Sequence, residues 1–126
     1  MQLTLTKKLL ALVLIGFFTQ VSLADNASAA KTIAGELTNL NHFPSDADKT
    51  ALLAVASDDG NGQGFRMIAT AVSKIQHAAT AEDKEIMNRI MASERATAQA
   101  KALAEIVLGI SHTANDEAKA KLAAML

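Results

Sequence analysis

Three histidines are the residues of this chain whose type and spacing most suggest chemistry. They are His42, His77 and His112, and 77 − 42 and 112 − 77 both equal 35. Imidazole is the commonest side-chain ligand for transition metals in proteins. The three histidines are therefore the candidate metal ligands of this sequence, and we find no candidate catalytic or cofactor-binding residues.

The same offset of 35 residues relates many other positions, so the histidine spacing is part of an internal repeat. Aliphatic residues recur at the offset, and so does one lysine in each unit. The matching sets are Ile33, Ile68 and Leu103; Leu37, Val72 and Val107; Leu40, Ile75 and Ile110; Leu52, Met87 and Leu122; and Lys49, Lys84 and Lys119. This pattern predicts three tandem units over residues 33–67, 68–102 and 103–126, preceded by a lead-in at residues 25–32.

Each unit contains the pattern of two helices. Its first part has apolar residues at i, i+1, i+4 and i+7, which is one stripe of an α-helix. A helix-capping residue follows three positions after each histidine, and acidic residues follow the cap. These caps are Ser45, Thr80 and Asn115. Asp48 and Asp83 at the third helical position predict a capping box in the first two units.

The sequence thus predicts an all-α fold of about six short helices, stacked as a short solenoid or a compact bundle. Residues 57–64 are rich in glycine and predict a connecting loop. Residues 92–99 contain no glycine, which would let the second helix of the middle unit run nearly into the next one. The inward positions of the second helices are predicted at 52, 55 and 56 and at their equivalents, which include Leu126.

Residues 1–24 have the pattern of a secretory signal peptide. Lys7 and Lys8 precede an apolar run of about half the length that a membrane span needs, and Ser22 and Ala24 supply small residues before a cleavage site. We therefore predict a periplasmic or secreted protein that is not stably inserted in a membrane after cleavage. The chain has no cysteine, which excludes disulfides and thiolate metal ligands.

The composition argues against several classes of partner. The part after residue 24 has ten basic and thirteen acidic residues, and this mild acidity does not favour nucleic acid. Phe43 and Phe65 are its only phenylalanines, and it has no tyrosine or tryptophan, so it offers no stacking surface for bases. The partner expected is an envelope or extracellular protein.

The repeated histidine also has a structural explanation, which the sequence favours. A histidine at the end of a helix can hydrogen-bond the last free carbonyl groups and is favoured there by the helix dipole. Helices in a linear stack lie about 8–10 Å apart, so His42 and His112 would be too distant to share a metal. Only a bundle that closes around an axis would bring all three together.

The remaining candidates are weak. The repeated lysines are expected in surface ion pairs. Residues 59–64 imitate the start of a calcium-binding loop, but Thr70 stands where the bidentate glutamate should be. No cofactor and no enzymatic activity are predicted. The function expected is that of a binding module for another protein, and the alternatives are a metal- or haem-binding protein using the histidines, or a holdase.

Overall fold

A computed structural model of the protein describes residues 26–126. Six helices lie in this range: 26–39 (α1), Asp46–Ser57 (α2), Gln63–Ser73 (α3), Ala81–Ala92 (α4), Ala98–Leu108 (α5) and Asp116–Ala123 (α6). No β-strand occurs between residues 26 and 126, so the all-α prediction is confirmed. None of these helices has the length and apolar character needed to cross a membrane. The predicted signal peptide, residues 1–24, lies outside the described residues.

The predicted caps begin the second helix of each pair. The side chains of Ser45, Thr80 and Asn115 each accept a hydrogen bond from the backbone amide three residues later. A reciprocal capping box forms only at Ser45 and Asp48. Of the two hydrogen bonds in the capping box predicted at Thr80, only the one to the Thr80 side chain forms. The Asp83 carboxylate pairs with Lys74 Nζ at 3.1 Å instead of with the backbone of the cap.

The core consists of the apolar stripes that the sequence predicted. The first helix of each pair buries its apolar stripe, in which Ile33, Ile68 and Leu103 are fully buried. The second helices add Leu52, Met87 and Leu122, which are also fully buried. Leu126 was predicted to face inward but is 56% exposed, because α6 ends at Ala123 and the last residues leave the helix.

Antiparallel hairpins form between the second helix of one pair and the first helix of the next. Accordingly α2 packs against α3, α4 packs against α5, and α3 contacts α5 along the core. The glycine-rich stretch turns the chain between α2 and α3, although Gln63 and Gly64 already belong to α3. The absence of glycine in residues 92–99 left open a helix that continues nearly into the next one, but Ser93 ends α4 and Thr97 caps α5.

The first and last parts of the described chain meet, so the bundle is compact and not a linear solenoid. A Cβ atom on Gly35 of α1 would lie 3.8 Å from Leu126 Cδ2. The backbone amide of His42 donates a hydrogen bond of 2.7 Å to the carbonyl of His112. Residues 26–32, predicted as a separate lead-in, form one helix with residues 33–39 and bury Ala29 and Ala30 in the core.

Candidate metal centre

Each histidine lies in a corner between two helices, at one end of the bundle. The corners connect α1 to α2, α3 to α4 and α5 to α6. His42, His77 and His112 have φ angles of 69°, 69° and 68°, and no other non-glycine residue among positions 26–126 has a positive φ. This left-handed conformation costs an L-residue roughly 1–2 kcal/mol, and glycine is the residue that adopts it most easily. Each of the three corners thus has this strain at a histidine, although glycine would fit the backbone better.

The corner turns are tight. The amide of Phe43 donates to the carbonyl of Asn41, and the amide of Thr113 donates to the carbonyl of Ser111, both at 2.8 Å. A hydrogen bond across three residues with positive φ at the centre is a γ-turn of the rare, strained form. The corner at His77 differs, because there the amide of Gln76 donates to the carbonyl of Ala78 at 3.4 Å.

A closed ring of backbone hydrogen bonds joins the three corners. The amide of His42 donates to the carbonyl of His112, that of His112 to His77, and that of His77 to His42, at 2.7, 2.6 and 2.6 Å. Each histidine therefore donates once and accepts once within the ring, and no backbone group of the ring is left unpaired. The ring fixes the three Cα positions around one axis and makes the convergence a property of the backbone.

The imidazole rings cluster on the outer side of this backbone ring. Their centroids are 5.2 Å apart for His42 and His77, 4.9 Å for His42 and His112, and 4.8 Å for His77 and His112. One ring nitrogen from each histidine lies within 4.8 Å of the others, and all three side chains are exposed. The structure therefore brings together the full set of candidate ligands, through the closed bundle that the sequence alone left open.

The nitrogen positions are close to those that one metal ion requires. Metal–nitrogen bonds of about 2.0–2.1 Å in tetrahedral geometry place two ligand nitrogens about 3.4 Å apart. His77 Nδ1 and His112 Nδ1 are 2.9 Å apart, a hydrogen-bond distance, so one of these two nitrogens carries a proton that a metal ion would have to displace. One ligand nitrogen of each histidine lies within 4.8 Å of the others, so a bound ion would require side-chain rotations at this exposed site to bring the pairs to about 3.4 Å.

A neighbouring amide orients one of the rings. His42 Nδ1 lies 2.6 Å from Asn41 Oδ1. Because the amide oxygen accepts, His42 Nδ1 carries the proton and Nε2 keeps the lone pair that a metal can use. Groups that hydrogen-bond the ring nitrogen away from the metal fix the tautomer of metal-binding histidines. A polar residue also precedes the other two histidines, namely Gln76 and Ser111.

The helix-capping role expected for the histidines differs from the hydrogen bonds observed. Their ring nitrogens bond to Asn41 and to one another, and their amides bond within the ring described above. The preceding helices are closed by other amides, such as that of Lys74, which donates to Ala71 and Val72. The corner position predicted for the histidines is observed, but within residues 26–126 their groups do not cap these helices.

The repeated lysines were predicted in ion pairs, and this was wrong for the described part of the chain. The three ion pairs found between residues 26 and 126 are Arg66–Asp59, Lys74–Asp83 and Lys121–Glu117. None of them uses Lys49, Lys84 or Lys119.

Sequence reasoning missed two acidic residues that are unusual in their surroundings. Burial raises the pKa of Glu36 to about 7, and a hydrogen bond with Asp48 and the negative charge of that residue add to the effect. The same hydrogen bond from Glu36 lowers the pKa of Asp48. Asp83 is 2% exposed and bonded to Lys74, and one of its oxygens has no partner. The only signal in the sequence was a charged residue next to an apolar stripe.

Comparison with known proteins adds no assignment to this geometry. No family model matches the chain, and neither a curated protein nor a solved structure does.

Proposed function

We propose that this protein is an exported metal-binding protein whose centre is formed by His42, His77 and His112. The observation that carries the proposal is the convergence of three imidazoles on one axis, each held by a strained backbone corner. Strained residues that a fold tolerates repeatedly are concentrated at functional sites. Here the strain falls only on residues of one type, and that type is the commonest metal ligand.

The ligand set favours a divalent ion of the later transition series. Neutral imidazole suits Zn²⁺, Cu²⁺ and Ni²⁺, whereas Mg²⁺ and Ca²⁺ prefer oxygen ligands. The cluster consists of three histidines without a carboxylate, so the bound ion would keep its double positive charge. Three protein ligands also leave a coordination position for water or for a group of another molecule.

The architecture behind this proposal is a chain of three 35-residue helix pairs that closes on itself. In such an array, a residue at the same place in each unit lies at the same distance from the axis. Three equivalent ligands are then obtained by repeating one unit, and their convergence follows from closure. A closed bundle lacks the extended concave surface of a solenoid, which makes the alternative function of a peptide-binding array less suited to this shape.

Export is supported by the pattern of residues 1–24 described above. If it is correct, protein recovered from the periplasm or medium of an expressing bacterium begins at Asp25, as mass spectrometry of the intact protein would measure. A protein that retains Met1 in that fraction would contradict the proposed cleavage.

The metal proposal is tested with protein purified without a histidine tag. Isothermal titration with Zn²⁺, Cu²⁺ and Ni²⁺ should give one ion per chain for at least one of them. His77→Gly keeps the positive φ accessible and removes one of three ligands, so metal affinity should fall by at least about 100-fold, more than the loss of a group that only hydrogen-bonds a ligand. Lys84→Ala, which removes a cation from an exposed site on α4, is the matched control.

Two results would refute the proposal. One is the absence of saturable binding by all three ions, and the other is a His77→Gly variant that binds as tightly as the native chain. Circular dichroism of the variants without metal shows whether each is folded, so that loss of binding can be assigned to the missing ligand.

A further inference from the structure

A second candidate site lies at the other end of the bundle. A cleft of about 660 Å³ opens where α3, α4 and α5 meet, and its walls include Phe65, Met67, Ile86, Arg89 and Arg95. The volume is within the range of small-molecule sites, about 300–1,000 Å³. Helix α3 separates it from His77, and its 11 residues span about 16 Å. The cleft is thus independent of the histidine cluster.

The wall residues depart from the pattern of the rest of the chain. Arg89 lies 35 residues from Ala54 and from Ala124, while Ile86 corresponds to Ala51 and Lys121. Met67 corresponds to Thr32 and Ala102. Ile86 and Met67 are half-buried and pack against the core while lining the cleft. Among the places of the chain related by 35 residues, the cleft is therefore the one at which these large apolar side chains and this arginine occur.

The charges around the cleft favour an anion. Arg89 and Arg95 are exposed, and neither takes part in the three ion pairs formed between residues 26 and 126. Glu82 is the one acidic residue in the wall. Two guanidinium groups and one carboxylate leave a net positive charge beside an apolar surface, and guanidinium pairs readily with carboxylates.

Two helix ends strengthen the positive potential. The starts of α3 and α5 line the cleft through Gly62, Gln63 and Thr97. Neither helix has an acidic residue in its first turn, whereas α2, α4 and α6 each carry two. The positive ends of the α3 and α5 dipoles are therefore not offset by their own side chains and point at the cleft.

From these observations we propose that the cleft binds an aliphatic carboxylate, with its chain against Phe65, Met67 and Ile86 and its carboxylate between Arg89 and Arg95. The apolar wall accounts for the chain, since removing methylene groups from water is favourable. The arginines and the two helix ends account for the negative head group.

The test uses dodecanoate below the concentration at which it forms micelles. Displacement of a fluorescent fatty-acid analogue measures its affinity, with dodecanol and dodecylammonium as probes of the same chain length. Dodecanoate should bind saturably and at least about tenfold more tightly than either, because hydrogen bonds to a charged group contribute more than about 1.4 kcal/mol.

For Arg89, Ile86 and Met67 the variants introduce the alanine found 35 positions away, which the fold already accommodates there. Arg95→Ala truncates an exposed side chain. Arg89→Ala and Arg95→Ala together should weaken dodecanoate binding about tenfold or more and leave dodecanol unchanged. Ile86→Ala and Met67→Ala should weaken both probes. Lys84→Ala, on the same helix as Arg89 and outside the cleft, and His77→Gly, at the metal centre, should change neither.

Absence of saturable dodecanoate binding would overturn the proposal. So would equal binding of dodecylammonium, or a double arginine variant with native affinity. Because His77→Gly tests the other end of the bundle, failure of this proposal and failure of the metal proposal are distinguished in the same set of proteins.

Discussion

Glycine should be more stabilising than alanine at the three histidine positions, in contrast to its effect elsewhere in this helical protein. At φ near 69° the Cβ atom of an L-residue costs roughly 1–2 kcal/mol, which glycine avoids. Glycine loses about 0.5–1 kcal/mol more than alanine through its freedom in the unfolded chain. The balance leaves His77→Gly about 0.5–1 kcal/mol more stable than His77→Ala.

Both variants lose the ring contacts of His77, so the comparison between them isolates the backbone. The control compares the native chain, which has Ala120 on the exposed side of α6, with Ala120→Gly, in which glycine should lower the stability by about 1 kcal/mol. For a chain of this size, 1 kcal/mol corresponds to about 4–8 °C in Tm. Thermal unfolding followed by circular dichroism, in the presence of a chelator, measures all four proteins.

If His77→Ala is as stable as His77→Gly, the backbone at this corner is not strained. Backbone strain would then no longer support a functional role for the three histidines, although the clustering of their rings would still do so.

Three further predictions address the pH dependence and the buried charges. Metal affinity should fall as the pH is lowered from 7.5 to 5.5, because protons compete for the ring nitrogens; titration at both pH values measures it, and an unchanged affinity would argue against imidazole ligands. Glu36 is protonated in the native protein up to about pH 7, whereas in the unfolded chain it ionises above its ordinary pKa of 4.5. Its contribution to stability is therefore complete below about pH 4.5 and is lost as the pH rises through 7. Glu36→Gln should therefore raise stability by about 1–2 kcal/mol at pH 8 and by little at pH 4.5, as urea unfolding would measure; an equal effect at both pH values would contradict this. Lys74→Met leaves the buried Asp83 carboxylate without its partner and should cost about 1–3 kcal/mol, whereas Lys74→Met combined with Asp83→Ala should recover most of that loss; no recovery in the double variant would show that the pair is not the cause.

The helices and their caps could be predicted from the sequence because the information there is local. The apolar stripe of Ile68, Val72 and Ile75 needs only the helical period, and the caps at Ser45 and Thr80 need only residues within one turn. The prediction for Leu126 was wrong because it extended a helical pattern beyond Ala123, where α6 ends.

The convergence of the histidines could not be predicted because it depends on closure. The period of 35 residues specifies one unit, but the angle between successive units decides whether the array is linear or closed, and that angle results from packing across the core. No count of periodic positions gives this angle.

Closure also explains why the corner must be strained if it is to hold ligands. The three corners meet through the ring of backbone hydrogen bonds between His42, His77 and His112, and the backbone reverses at each of them within a few residues. Glycine would make that reversal without strain but would leave the axis without a side chain. A histidine with positive φ turns the backbone and also places an imidazole at the axis. The strain at His42, His77 and His112 is therefore the structural cost of putting three nitrogen donors within 4.8 Å of one another, and a bound metal would offset it by linking the three corners in the folded state alone.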